Sequence, residues 1–198
     1  MRKFNTHKSV NLRIWHWLSF FSIVVLMLTY IVRKTWLNYK DNAIIIQDKL
    51  SEFSIIITDD QSKAVAKILR DNMFVWHYWA GFLFSALLIY RFYGIFIKKD
   101  NFVLKEALQT KDMSIKGAKL AQTIFYIVSA YMAASGIIMY IVKQNGIKNE
   151  IYNMLKAPHE YLFWFFAIFI VAHIAGVIKA ELTTDNGLIS SMFSNNRS

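Results

Sequence analysis

The stretch HEYLFWFFAIFIVAHIAGVI, residues 159–178, decides the fold, because its twenty residues hold no Lys, Arg or Asp and only one acid, Glu160. Such a run is about what a helix needs to cross ~30 Å of hydrocarbon. His159 and His173 stand fourteen residues apart within it. On a helix that is nearly four turns, so both imidazoles lie on one side, about 21 Å apart along the axis. Imidazoles inside a bilayer are costly and read as functional by default. A pair at opposite depths of one spanning helix points to two stacked cofactors.

The composition extends this reading to the whole chain. Of 198 residues, 56% are hydrophobic and 16% aromatic, and there is one Pro. That leaves too little polar surface to cover a water-soluble globule of this size. Four segments lack Asp, Glu, Lys and Arg: Ile14 to Val32, Asn72 to Tyr90, Leu120 to Val142 and Tyr161 to Ile178. The expected architecture is all-α: a single integral-membrane domain over residues 1–198, a four-helix transmembrane bundle with spans at about 12–33, 72–97, 117–143 and 158–180. The first apolar run exceeds the ~7 to 15 residue core of a signal peptide, and no small-residue cleavage site follows it, so it reads as a retained span.

Basic residues set the orientation. Arg2, Lys3, Lys8 and Arg13 precede the first span with no acid among the first thirteen residues, and seven Lys or Arg lie between Arg91 and Lys119. Positive loops stay in the cytoplasm, which predicts both termini inside. The segment 34–71 then faces the periplasm of a bacterial inner membrane. From Arg33 to Asp71 seven basic residues are mixed with six acids, and charge bias counts for less in a long segment. The net charge of +10 is accounted for by topology and by attraction to anionic membrane lipid; no nucleic-acid-binding signature accompanies it.

Cysteine is absent. Disulfides, thiolate metal sites, iron–sulfur clusters and covalent c-type haem are therefore excluded for this chain, and any haem is held by ligation and packing alone. No Gly-rich phosphate loop, Gly-x-Ser-x-Gly, His-Glu-x-x-His or internal repeat occurs.

The remaining histidines fall into place by helix direction. His16 opens the first helix in RIWHWLSF and His77 opens the second in MFVWHYWAGF. Those helices start on opposite sides of the membrane, and the fourth starts on the same side as the second. His16 therefore shares a leaflet with His173, and His77 with His159. Two imidazoles on facing helices bind haem iron from both axial sides, and bundle cores are where such sites are built. Taken singly, each of His16 and His77, flanked by aromatic residues, has the ordinary reading of an interfacial anchor; the set of four makes two bis-His haem b sites. His7 lies among Lys and Asn and reads as solvated.

Other candidates surround these four. Gly81 follows His77 by four residues and Gly176 follows His173 by three, positions that clear room for a flat macrocycle. Gly136 in AASG has the ordinary reading of a helix-packing residue. Arg13 and Arg91 are candidates to pair with propionates of the cytoplasmic-side haem and Arg70 with those of the outer one; the ordinary role of all three is interfacial snorkelling.

The segments RIWHW, WHYWAGFLFSALLIYRFYGIF and HEYLFWFFAIFIVAHIAGVIKAELTTDNGLISSMF resemble the bacterial cytochrome b561 superfamily, especially the cytochrome b subunits of membrane-bound nickel-iron hydrogenases. The resemblance covers nearly the whole chain. It implies a diheme b-type cytochrome with His16, His77, His159 and His173 as axial ligands to haem iron. It also implies electron transfer between the quinone pool and a periplasmic redox subunit, hydrogenase-like or a c-type cytochrome.

Two readings compete with a respiratory subunit: a stand-alone oxidoreductase of a small reductant, and a haem-free membrane anchor or transporter. A transporter commonly breaks its helices or buries carboxylates; none of the four uncharged segments contains Asp, Glu or Pro. Outside the membrane, Ile46, Leu50, Phe53 and Ile57, and then Val65, Ile68 and Leu69, recur at three- and four-residue spacing. They predict two short amphipathic helices on the outer surface, covering the bundle mouth or docking a partner. The tail from Thr183 to Ser198 reads as a peripheral flap without chemistry of its own.

Overall fold

The computed structural model describes residues 9–97, 108–110, 113–146, 150–183 and 186–193. His7 and the basic residues Arg2, Lys3 and Lys8 lie outside the described residues. Five α-helices are described: α1 (Val10–Lys34), α2 (Tyr39–Ser51), α3 (Asp59–Phe96), α4 (Met113–Gln144) and α5 (Glu150–Thr183), followed by a 3₁₀ turn at Ser190–Met192. Among the described residues there is no strand. Helices α1, α3, α4 and α5 are each long and apolar enough to cross a membrane. In hydrocarbon every backbone N–H and C=O must be satisfied internally, which a continuous helix achieves by itself.

The distribution of side chains is that of a membrane bundle. Among the described residues the buried polar ones are hydroxyls, including Ser19, Ser22, Thr29, Ser85, Ser129 and Ser135, whereas Trp79, Ile89, Ile168 and Val171 are each at least 68% exposed. Small hydroxyl residues let helices approach closely in lipid, where large apolar side chains gain nothing by turning inward.

The chain divides into two compact units, Phe20–Phe84 and Met1–Ser19 with Ser85–Ser198. In the first, α1 and α3 run antiparallel: Thr29 meets His77, and Leu26 lies beside Gly81. In the second, Leu88, Ile95 and Tyr126 form a core flanked by Trp15, Phe92 and Phe125, and the Trp15 indole N–H donates to the Leu87 carbonyl at 2.8 Å. Helices α4 and α5 also pair antiparallel. Ser135 touches His159, and ten residues away on each helix, in opposite directions, Phe125 stacks on Phe169 at 4.5 Å.

The membrane-side ends are written in local chemistry. At the start of α3, Thr58 Oγ1 accepts from the Gln61 amide at 3.2 Å while Gln61 Oε1 accepts from the Thr58 amide at 2.8 Å. This is a capping box, reinforced by Asp59 and Asp60 in the first turn. Helix α2 is capped by Asn38, whose side chain accepts from the Lys40 amide. It ends where Ser54 turns left-handed at φ 60, with the Ile55 amide reaching back to Leu50 O and the Ser54 amide to Ser51 O. That is a Schellman motif with Ser in the position Gly usually takes.

Two expectations need correction. Of the first amphipathic pattern only Ile46 and Leu50 lie in a separate helix, α2, with Phe53 in the turn after it and Ile57 outside any element; Val65, Ile68 and Leu69 belong to α3, which runs unbroken from Asp59. The capping box starts the helix there, and no Gly or Pro between it and the apolar segment interrupts the backbone ladder. Helix α5 begins at Glu150 and carries Pro158 inside it, one residue before His159. Pro158 has no N–H to give the Met154 carbonyl, yet the helix continues through it. Residues 186–193 of the tail are tied to the helices. Glu181 accepts the Gly187 and Ile189 amides, each at 2.8 Å, while the Trp17 indole donates to Met192 O at 3.1 Å and its ring lies 4.7 Å from that of Phe193.

Candidate functional site

Near the N-terminus of α1 and toward the C-terminus of α5, His16 and His173 face each other with ring centroids 6.1 Å apart and ring planes 54° apart. Two imidazoles on opposite sides of one metal ion, each bonded at about 2 Å, have ring centres roughly 6 Å apart. The two side chains therefore stand at the separation of a shared axial pair. Phe169, one turn before His173, lies parallel to its ring within 4° at 6.0 Å. Phe125 and Phe165 stack on Phe169 in turn, so one side of the site is walled by flat apolar surface. No neighbour lies within 4 Å of a side chain built at Gly176, the room a flat ligand needs.

His159 lies fourteen residues from His173 along α5, about 21 Å at the helical rise. Its Nδ1 is 2.8 Å from Ser135 Oγ on α4, and a Cβ at Gly136 would come within 3.4 Å of its Cε1. Gly136 thus lets α4 close on the ring, a more specific task than ordinary helix packing.

In the unit Phe20–Phe84, His77 Nδ1 lies 2.8 Å from Thr29 Oγ1. Phe74 meets the His77 ring edge-on at 6.1 Å, and the Arg70 guanidinium sits over Phe74 and Tyr39. Arg70 therefore lies on the His77 side of α3, as a propionate partner would. A Cβ at Gly81 would meet Leu26 Cδ2 at 3.9 Å, an ordinary van der Waals contact.

The arginines differ in how they are engaged. Arg13 Nε and Arg70 Nε are buried without a hydrogen-bond partner, although Arg70 also pairs with Asp71 at 3.2 Å. Buried, unsatisfied guanidinium donors are expensive, and a carboxylate is the group that relieves them. Arg91 instead donates to the Tyr126 hydroxyl at 3.2 Å and lies over Trp15, which ties it to the core of its unit. Among the described residues no group of three or more His, Cys, Asp or Glu could hold a bare metal ion.

The sequence matches the model of the prokaryotic cytochrome b561 family over residues 8–195. The chain belongs to that family. No curated protein and no solved structure gives a match. As a cytochrome b561 it is a multi-pass membrane protein that binds b-type haem and transfers electrons. The donor set agrees: imidazoles without thiolates or clustered carboxylates suit haem iron. What the sequence reading passed over are the hydroxyls, Thr29 in LMLTYIV and Ser135 in AASG. The available signal was a polar residue in an apolar helix, which in lipid seeks a partner on a neighbouring helix.

Proposed function

We propose that this cytochrome b561 carries electrons across a bacterial inner membrane through two haems b, one held by His16 and His173 and the other by His77 and His159. The observation that carries the reading is the 6.1 Å approach of His16 to His173, together with a second His fourteen residues along the same helix. When bound, haem supplies a one-electron iron couple. The four histidines would hold it through their ring nitrogens. Arg13 and Arg70 would neutralise propionates, and Phe169, itself stacked on Phe125, lies against one face of the His173 ring. The two ligand levels are fixed on one continuous helix, so transfer between them requires no moving part.

The partners follow from this arrangement. A redox group near each surface connects a periplasmic subunit, hydrogenase-like or a c-type cytochrome, with the quinone pool. The reduced-minus-oxidised spectrum of the purified protein, with pyridine-haemochrome quantification, tests the haem number. Two haems b per chain are expected; one would sink the two-haem reading, and none would favour an anchor.

The direction of the bundle has its own test. Reporter fusions at Lys111 and Ser198 should score cytoplasmic and one at Asp60 periplasmic, because unopposed basic residues stay inside. A periplasmic score at Ser198 would undo the pairing of His77 with His159, which depends on helix direction.

A further inference from the structure

Two hydroxyls count protons for the histidines. A Ser or Thr hydroxyl has one hydrogen to donate and two lone pairs to accept with. Thr29 Oγ1 donates its hydrogen to the Leu26 carbonyl at 2.7 Å, so at its 2.8 Å contact with His77 Nδ1 it is the acceptor. Ser135 is arranged in the same way on another helix: its Oγ donates to the Met132 carbonyl at 3.2 Å and lies 2.8 Å from His159 Nδ1. A hydroxyl whose hydrogen is held by a carbonyl can only accept from Nδ1, an arrangement that puts the ring proton on Nδ1 and leaves Nε2 as the lone-pair nitrogen of the neutral ring. Both hydroxyls are buried, Thr29 at 7% and Ser135 at 1% exposure. Water does not readily replace them there.

His16 and His173 have a different environment, formed by each other's rings, Trp17 and Phe169. We infer that Thr29 and Ser135 are positioning residues that fix the Nδ1–H tautomer of His77 and His159 and so tune the haem these two hold. The inference rests on the function proposed above. A ligand imidazole whose outer N–H is hydrogen-bonded is a stronger electron donor, and such supporting partners are typically worth ~10–100-fold in affinity. Stronger donation favours ferric over ferrous iron, so losing either hydroxyl should raise that haem's potential.

The test is a redox titration of full-length protein carrying Thr29→Val or Ser135→Ala, each of which removes a hydroxyl at little change in volume. The expected result is a rise in one haem's midpoint by roughly a tenfold change in its oxidised-to-reduced ratio, about 59 mV for a one-electron couple. Both variants should move the same haem, the one that disappears in His77→Ala, and leave the other in place. Thr29→Ser, which keeps the hydroxyl, should restore the original potential. Loss of that one haem from Thr29→Val, recovered in Thr29→Ser, supports the same assignment. Two haems with unmoved potentials, or a shift confined to the haem lost in His16→Ala, overturn the inference and leave the proposed function standing. Fewer than two haems in the unaltered protein overturn both.

Discussion

Replacing His173 or His16 with alanine removes the same haem and leaves the other bound, while His77→Ala and His159→Ala each remove the other one. The chain has no Cys, so no thioether tethers the macrocycle once an axial bond is gone. Supporting partners of metal ligands are already worth ~10–100-fold in affinity, and a ligand itself is worth more. Haem content should fall from two per chain to one in each single variant. Because two ligands of one iron act as a unit, their effects are not additive: the His16→Ala, His173→Ala double variant should retain as much haem as either single one. The His16→Ala, His77→Ala pair should lose both haems, and His7→Ala should lose neither. Pyridine-haemochrome assays on the purified variants decide it. Loss of a common haem from His16→Ala and His77→Ala would falsify the two-level arrangement.

The second large effect is on electron flow. If quinone reacts at the cytoplasmic-side haem, His16→Ala and His173→Ala should lower quinol-driven reduction of a periplasmic acceptor to the level of membranes without the protein. The other haem should remain reducible by a donor added from outside. Stopped-flow spectra of protein in vesicles separate the two events, because the surviving haem reports its own oxidation state. The reverse direction, from a periplasmic donor to quinone, should be blocked by the same substitutions, since both directions use the same two sites. Failure of several quinols to reduce either haem in the unaltered protein would point to a different cytoplasmic-side partner, with the haem sites themselves intact.

The flap at residues 186–193 gives that end of the molecule a definite boundary. Trp17, next to His16, donates to Met192, and Glu181, eight residues beyond His173, gathers two amides of the flap. A tail that reads as polar with a short apolar turn, Leu188 to Phe193, is thus tied to both helices that carry the 6.1 Å histidine pair. The tie joins the Trp17 indole to a backbone carbonyl, that of Met192, 175 residues away, and no local pattern records it.

By itself the sequence determined what depends on position along a helix axis. The four uncharged apolar segments lie within α1, α3, α4 and α5, because hydrocarbon leaves a backbone no alternative to a continuous helix. The spacing of His159 and His173 fixes two levels on one helix face, since rise and twist per residue are constant. The start of α3 was legible as well, in the Thr-Asp-Asp-Gln of residues 58–61, although hydropathy alone hid it behind the charged Arg70 and Asp71. Tertiary structure decided which side chains meet across helices. The rotation of α1 against α3 selects Thr29 for His77, and the close approach that Gly136 permits selects Ser135 for His159. The fold of the tail against Trp17 belongs to the same class. In lipid the hydrophobic effect does not choose among helix faces, so these choices fall to packing of small residues and to hydrogen bonds between helices, neither of which leaves a periodic trace in the chain.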